Sequence, residues 1–169
     1  MHFVPHAATG RGMSVPNYAR TVLNKVRGIV VDVHTARALK WAQARAGVKF
    51  DYAQGSYHHG TVSGSTHDGA GAVDVRVVGW GPSTITKVVR ALRDAGFAAW
   101  ARDSRDGFAP HIHAVLIGLK GLSSGAAWQV AEYDRGRNGL SNQKLDRDLY
   151  RPKPKVKWSS VRNRPIART

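Results

Sequence analysis

Gly64 to Val75 reads GSTHDGAGAVDV, and Phe108 to Gly118 reads FAPHIHAVLIG. The first run carries His67 and Asp74; the second carries His111 and His113. Between His67 and Asp74 lie Gly69, Ala70, Gly71 and Ala72. Residues this small let a backbone turn tightly and approach an ion closely. Ala72 to Val78 then alternates like a strand, with Val73, Val75 and Val77 on one face and Asp74 and Arg76 on the other. In His111-Ile112-His113 the same period of two puts both imidazoles on one face, with Ile112 behind them. Two imidazoles and a carboxylate, drawn from a loop-to-strand passage and a later strand, make a three-ligand metal site with an open fourth position. Eight histidines and no cysteine favour such a His/carboxylate site over a thiolate one.

At these residues the chain resembles the zinc D-Ala-D-Ala carboxypeptidase and dipeptidase family, which includes phage L-Ala-D-Glu endopeptidases and has a hedgehog-like fold. The carriers are Ser65-x-His67, Asp74 seven residues after that histidine, and the later His113. Further stretches are similar to actinobacterial and actinophage proteins of peptidoglycan-binding or peptidase-like character: QGSY at Gln54 to Tyr57, LRDAGFAAW at Leu92 to Trp100, PHIHAVLIG, and QVAEYDRGRNGL at Gln129 to Leu140. The resemblance spans roughly Thr35 to Leu140. It implies zinc held by His67, Asp74 and His113, peptidoglycan as substrate, and a loop with Gln54, Ser56 and Tyr57 lining a cleft. It departs at one position. The family places an Asp or Glu three residues before the last zinc histidine as general base, and here that residue is Pro110. His111 is the first choice to share the base role; Asp106, Asp103 and Asp68 are further carboxylates in reach by sequence.

At 169 residues the chain is expected to hold one domain with extensions: an irregular arm over 1–16, a peptidase-like domain over 17–142, and a basic Pro/Lys-rich tail over 143–169. Twenty-six Lys and Arg against 11 Asp and Glu give a net charge of +15, which points to a polyanionic partner such as an anionic wall polymer. Nucleic acid fits the charge, but no binding motif accompanies it. No apolar run reaches the roughly 18 residues of a membrane span. The start MHFVPHAATGRG lacks the pattern of a secretion signal. The expected location is therefore a host cytoplasm before lysis, or a virion, with action at the bacterial wall. The tail, with alternating Pro and Lys after Arg151 and a lone Trp158, reads as extended and unpacked. It can grip a polyanion, dock on virion proteins or serve solubility.

The remaining pattern predicts an α+β fold: a small, mainly antiparallel sheet with helices packed on one side. Helices are expected over Asn17–Arg27, over Ala36–Arg45 with Thr35 as cap, over Ile85–Asp94 with Ser83 or Thr84 as cap, and over Ala126–Tyr133. Strands are expected over Ile29–Val33, Val48–Tyr52, Ala72–Val78 and Phe97–Ala101, and from His111 to Ile117. For Ile29–Val33 a helix running through is the alternative. Trp100 either walls a cleft or fills the core, and His2, His6, His58 and His59 read as loop residues outside the metal set.

Overall fold

A computed structural model describes residues 20–22, 28–59 and 64–156. The expected arm over 1–16 and the part of the tail from Lys157 onward, with Trp158, lie outside the described residues.

The first described element is β1 (Arg20–Val22), which pairs antiparallel with β2 (Val30–Asp32). The expected helix over Asn17–Arg27 is thus corrected: its described part is a strand. Tyr18, Val22 and Val26 fit a helical stripe, but pairing with Val30–Asp32 gives the backbone a partner that the stripe does not reveal. Asp32 then caps α1 (Val33–Ala46). Its carboxylate accepts from His34 N at 3.0 Å and Thr35 N at 2.9 Å, and Thr35 Oγ1 donates to it at 2.7 Å. The cap falls three residues before the expected Thr35, because a charged acceptor at the positive end of the helix outcompetes a hydroxyl.

Next come β3 (Tyr52–Gln54), β4 (Ala72–Arg76), α2 (Pro82–Asp94), β5 (Phe97–Arg102), β6 (His111–Leu116) and α3 (Ser124–Asp134). Pro82 starts α2 where a missing N–H costs nothing. The four strands β3-β4-β6-β5 form one antiparallel sheet in that order. The fold is α+β, as the pattern predicts.

The two faces of the sheet divide the labour. Val73, Val75, Ala99, Ile112 and Ala114 point to one face and pack with Leu39 and Ala42 of α1 and Val88 and Leu92 of α2. Burying side chains of this size stabilises by roughly 1.5–3 kcal/mol each. The opposite face carries Ala72, Asp74, Ala98, Trp100, His113 and Val115. The expected packing on one side holds for α1 and α2. Helix α3 lies over the other face, with Ala126 against Ala72 and Val115 and Tyr133 against Ala98 and Trp100.

The stretch Asp146–Val156 does not have the unpacked character expected of the tail. Arg93 of α2 is fully buried and holds it through Asp146 Oδ2 at 2.8 Å, Asp148 O and Tyr150 O. Arg151 adds a second bond to Asp146 at 2.9 Å and sits over the Tyr133 ring. Among the described residues no helix is long and apolar enough to cross a membrane.

Candidate metal centre

The register of β4, β6 and β5 builds the site. Asp74 lies directly opposite His113, and His113 directly opposite Trp100. Directly opposed residues share a face, so the alternation that buries Val73, Val75 and Ile112 beneath α1 and α2 turns Asp74, His113 and Trp100 upward together. One step along the strands, Arg76, His111 and Arg102 form a second row on that face. Gln54, opposite Asp74 on β3, extends the first.

His67 arrives from the loop before β4. That loop is pinned on both sides: His67 O accepts from His58 N at 2.9 Å, Gly69 O from Tyr57 N at 3.0 Å, and Thr66 O from Ser123 Oγ at 3.1 Å, while Ala70 N donates to Gly121 O at 2.9 Å. His67 itself is 1% exposed, and its ring meets that of His113 edge-on at 5.2 Å. His67, Asp74 and His113 each offer one ligand atom, and these atoms lie within 4.8 Å of one another. The cluster can hold a metal ion.

Second contacts fix which nitrogen faces the centre. His67 Nδ1 is 2.8 Å from Gly55 O. A carbonyl only accepts, so Nδ1 carries a proton, and Nε2 lies 3.4 Å from Asp74 Oδ2. Gly55 is glycine for a steric reason: a Cβ there would stand 2.5 Å from Val30 O. His113 uses the opposite tautomer. Its Nε2 is 2.8 Å from Gln129 Oε1, and the Gln129 amide nitrogen donates to Gly139 O at 3.2 Å. That commitment orients the amide with its oxygen toward the ring. Nε2 therefore carries the proton, and Nδ1 faces Asp74 Oδ1 at 2.7 Å. That is a hydrogen-bond distance, so a proton is shared there, and a bound metal ion would take its place with the two atoms moved slightly apart.

Burial would raise the Asp74 carboxyl, but hydrogen bonds from His113 and His67 hold it well below the usual carboxylate range. Burial likewise opposes charge on His67; Asp74 and the Gly55 carbonyl outweigh it and lift this imidazole above its ordinary value. For His113, wholly enclosed, burial wins over Asp74 and pushes it down.

The other predicted residues fall as follows. His111 is half-buried beside the cluster; its Nδ1–H donates to Ala109 O at 2.7 Å, so its Nε2 lone pair faces Asp74 Oδ1 at 3.9 Å. Asp103 and Asp106, considered as bases, are both held by Arg147, and Asp103 also by Arg105. Asp68 lies 3.9 Å from His59, outside the cluster. Ser56 is buried with its hydroxyl on Ala72 O at 2.9 Å, and Tyr57 packs against the main core, so of the expected cleft residues only Gln54 shares the site face. Trp100 is 2% exposed, stacks on His113 at 6.2 Å and donates Nε1–H to Arg137 O at 3.0 Å; it backs the centre from within the core.

Sequence reasoning missed Gln129, Gly55 and Arg102. A signal existed for Gln129: with Ala126 and Tyr133 it lies on the buried stripe of α3, where a polar side chain needs a partner. Comparison with protein-family models, with curated proteins and with solved structures finds no match for this chain.

Proposed function

We propose that the protein is a zinc-dependent peptidase that hydrolyses a peptide bond in the stem or cross-link of bacterial peptidoglycan. One observation carries the reading: two imidazoles and a carboxylate converge within 4.8 Å, and each imidazole has its outer N–H tied to an acceptor, Gly55 O or Gln129 Oε1. Two nitrogens and one oxygen match the donor set of a catalytic zinc with one open position. Outer acceptors that fix the tautomer are the usual companions of zinc-bound histidine. The resemblance around His67, Asp74 and His113 supplies the substrate class.

A zinc ion bound there supplies Lewis-acid polarisation of a carbonyl and a water whose pKa drops toward about 7. The chain's own residues do the rest. Asp74, His67 and His113 hold the ion. His111, with Nδ1–H on Ala109 O and Nε2 turned to the centre, is the group that accepts and returns a proton in place of the acid missing at Pro110. The edge of Phe108 at 5.7 Å holds its ring in that orientation.

A second reading is a virion structural or wall-binding module that retains the fold with little or no catalysis. It is favoured by Pro110 and by the engagement of Asp103 and Asp106 with arginines, which leaves no free carboxylate at the base position.

The test is a digest of purified actinobacterial peptidoglycan by the zinc-loaded protein, read by mass spectrometry of released fragments. New peptide termini that vanish in His113→Ala are expected and identify the bond. A folded, zinc-loaded protein that releases nothing from several wall types refutes the peptidase reading and leaves the binding module.

A further inference from the structure

Two depressions adjoin on the outer side of α1 and α2, behind the sheet face that carries the metal row. One, of about 400 Å³, is walled by Arg45, Ser83, Thr86, Lys87 and Arg90. The other, of about 330 Å³, is walled by Trp41, Lys153 and Lys155. Both include Asp94 and Tyr150, so they form one groove. Along α2 it runs from Ser83 to Asp94, about 16 Å at the rise of an α-helix, which suits a chain better than a single ion. Its charge is one-sided. Arg45, Lys87, Arg90, Lys153 and Lys155 are all exposed, and Asp94 is the one acid in α1 and α2 together. A helix face that serves solubility alone mixes both signs in i, i+4 pairs. Here the counter-charges come from elsewhere and fall short. Asp148 meets Arg90 at 3.0 Å and Asp134 meets Lys155, but Asp94 meets Arg45 only at 3.7 Å. Lys87 and Lys153 have no ion-pair partner among the described residues. Arg37 and Lys40, exposed within a turn of Trp41 on α1, extend the basic face.

We propose that this groove docks a phosphate-bearing polymer of the bacterial wall that carries no bases, of the polyol phosphate kind. The exposed cations match a regular row of phosphates, and Ser83 and Thr86 add hydroxyls of the type that meet phosphate oxygens. The two rings argue against single-stranded nucleic acid, which is held by stacking its bases on open aromatic faces. Both rings are committed. Trp41 packs against the main core; Tyr150 has the Arg90 guanidinium 5.3 Å from its ring centre and its hydroxyl on Asp94. Because α1 and α2 pack on the sheet face opposite Asp74 and His113, a polymer in the groove leaves the metal row open. Naming the polymer a wall component rests on the peptidase reading; the preference for a base-free polyphosphate rests on the groove alone.

The test measures binding of the full-length protein to three immobilised probes: purified poly(glycerol phosphate) teichoic acid, a thymidine oligonucleotide with as many phosphates, and neutral dextran. Wild type is expected to bind the teichoic acid more tightly than the oligonucleotide and to ignore dextran. Lys87→Glu/Lys153→Glu reverses two cations without partners and is expected to weaken teichoic acid binding about tenfold or more. Lys120→Glu/Lys144→Glu has the same net charge, lies outside the groove, and is expected to lose less than threefold. Equal losses in the two variants mean attraction by net charge alone and overturn the proposal, as does a groove variant that binds like wild type. Arg162→Gln/Arg164→Gln/Arg168→Gln tests the tail; a loss larger than that of the groove variant moves the polymer there and overturns the proposal. An oligonucleotide bound as tightly as the teichoic acid, or more so, overturns it in favour of nucleic acid. Peptide release from peptidoglycan stripped of its anionic polymer separates the two readings. Release without polymer binding sinks the groove alone; polymer binding without release sinks the peptidase reading and leaves the groove to a wall-binding module.

Discussion

Replacing Gln129 by Leu removes the acceptor on His113 Nε2 while keeping the side chain's bulk. In the metal-bound state Nδ1 must offer its lone pair, so Nε2 must carry the proton. With Oε1 gone, that N–H is buried without a partner, at a cost of about 1–3 kcal/mol. The metal-free protein has an escape: the imidazole moves its proton to Nδ1 and donates to Asp74 Oδ1, 2.7 Å away. The penalty therefore falls mainly on the loaded state and appears as lost affinity. Loss of an outer partner of this kind lowers metal affinity about 10–100-fold, which is roughly 1.4–2.8 kcal/mol. The assay is zinc competition against a chromophoric chelator, with thermal melting of the metal-free protein alongside. Gln129→Glu, which keeps an acceptor on Nε2 but loses the donor to Gly139 O, is expected to retain tighter zinc binding than Gln129→Leu. Zinc affinity in Gln129→Leu within threefold of wild type would refute the assigned tautomer and with it the argument for a built metal centre.

His111→Ala is expected to lower the rate of wall-peptide release about 10²–10⁴-fold with zinc affinity nearly unchanged; a parallel loss of zinc binding in the chelator assay would make His111 a ligand instead. Gly139 has φ +65°, and an added Cβ would lie 2.9 Å from the Trp100 ring. Gly139→Ala therefore combines backbone strain with a clash and is expected to destabilise by roughly 1–3 kcal/mol in urea unfolding; an unchanged midpoint would contradict that packing. Burial raises the Asp148 carboxyl, but the hydrogen bond from Arg90 and the Tyr150 N–H outweigh it, so its folded pKa lies below its unfolded value. Its contribution is then present above the unfolded carboxylate range and disappears as pH falls through the folded value. Urea midpoints of wild type and Asp148→Asn should differ at pH 7 and converge on acidification; a gap that widens toward low pH would reverse the sign.

Much of the centre was legible because it rests on a period of two. Val73, Val75 and Ile112 fix a buried face, and the residues between them, Asp74, His111 and His113, have to point the other way. That inference needs no knowledge of which strands are neighbours. Register does. Nothing local says that Asp74 is paired with His113, His113 with Trp100, or Arg102 with His111. The expected strand Phe97–Ala101 contains Trp100 without saying whether its ring walls a cleft or fills the core, and it stops one residue short of Arg102, which β5 includes. The packed stretch around Asp146 was missed for a related reason. Its alternating charges and prolines look solvated in isolation, but they supply partners for Arg93, a buried cation set in α2 more than fifty residues earlier.

The outer contacts make the centre a property of the whole fold. The acceptor for His67 is Gly55 O, on a segment tied to β2 through Ser56 N and Val30 O at 2.8 Å. The acceptor for His113 is Gln129 of α3, itself held by Gly139 O beside Trp100. The ligands come from a loop and two adjacent strands, but their lone pairs are aimed by elements from opposite ends of the described chain. A three-residue cluster assembled by chance on a sheet surface has no need of such supports, and their removal would cost it nothing. Here each support is buried, and each takes the outer N–H of its imidazole, which leaves the other ring nitrogen turned to the cluster. Burying the Asp74 carboxylate between two imidazoles is costly unless a proton or another cation lies among them. Gln129 and Gly55 thus decide, as much as His67, Asp74 and His113 do, how this cluster could hold a metal ion.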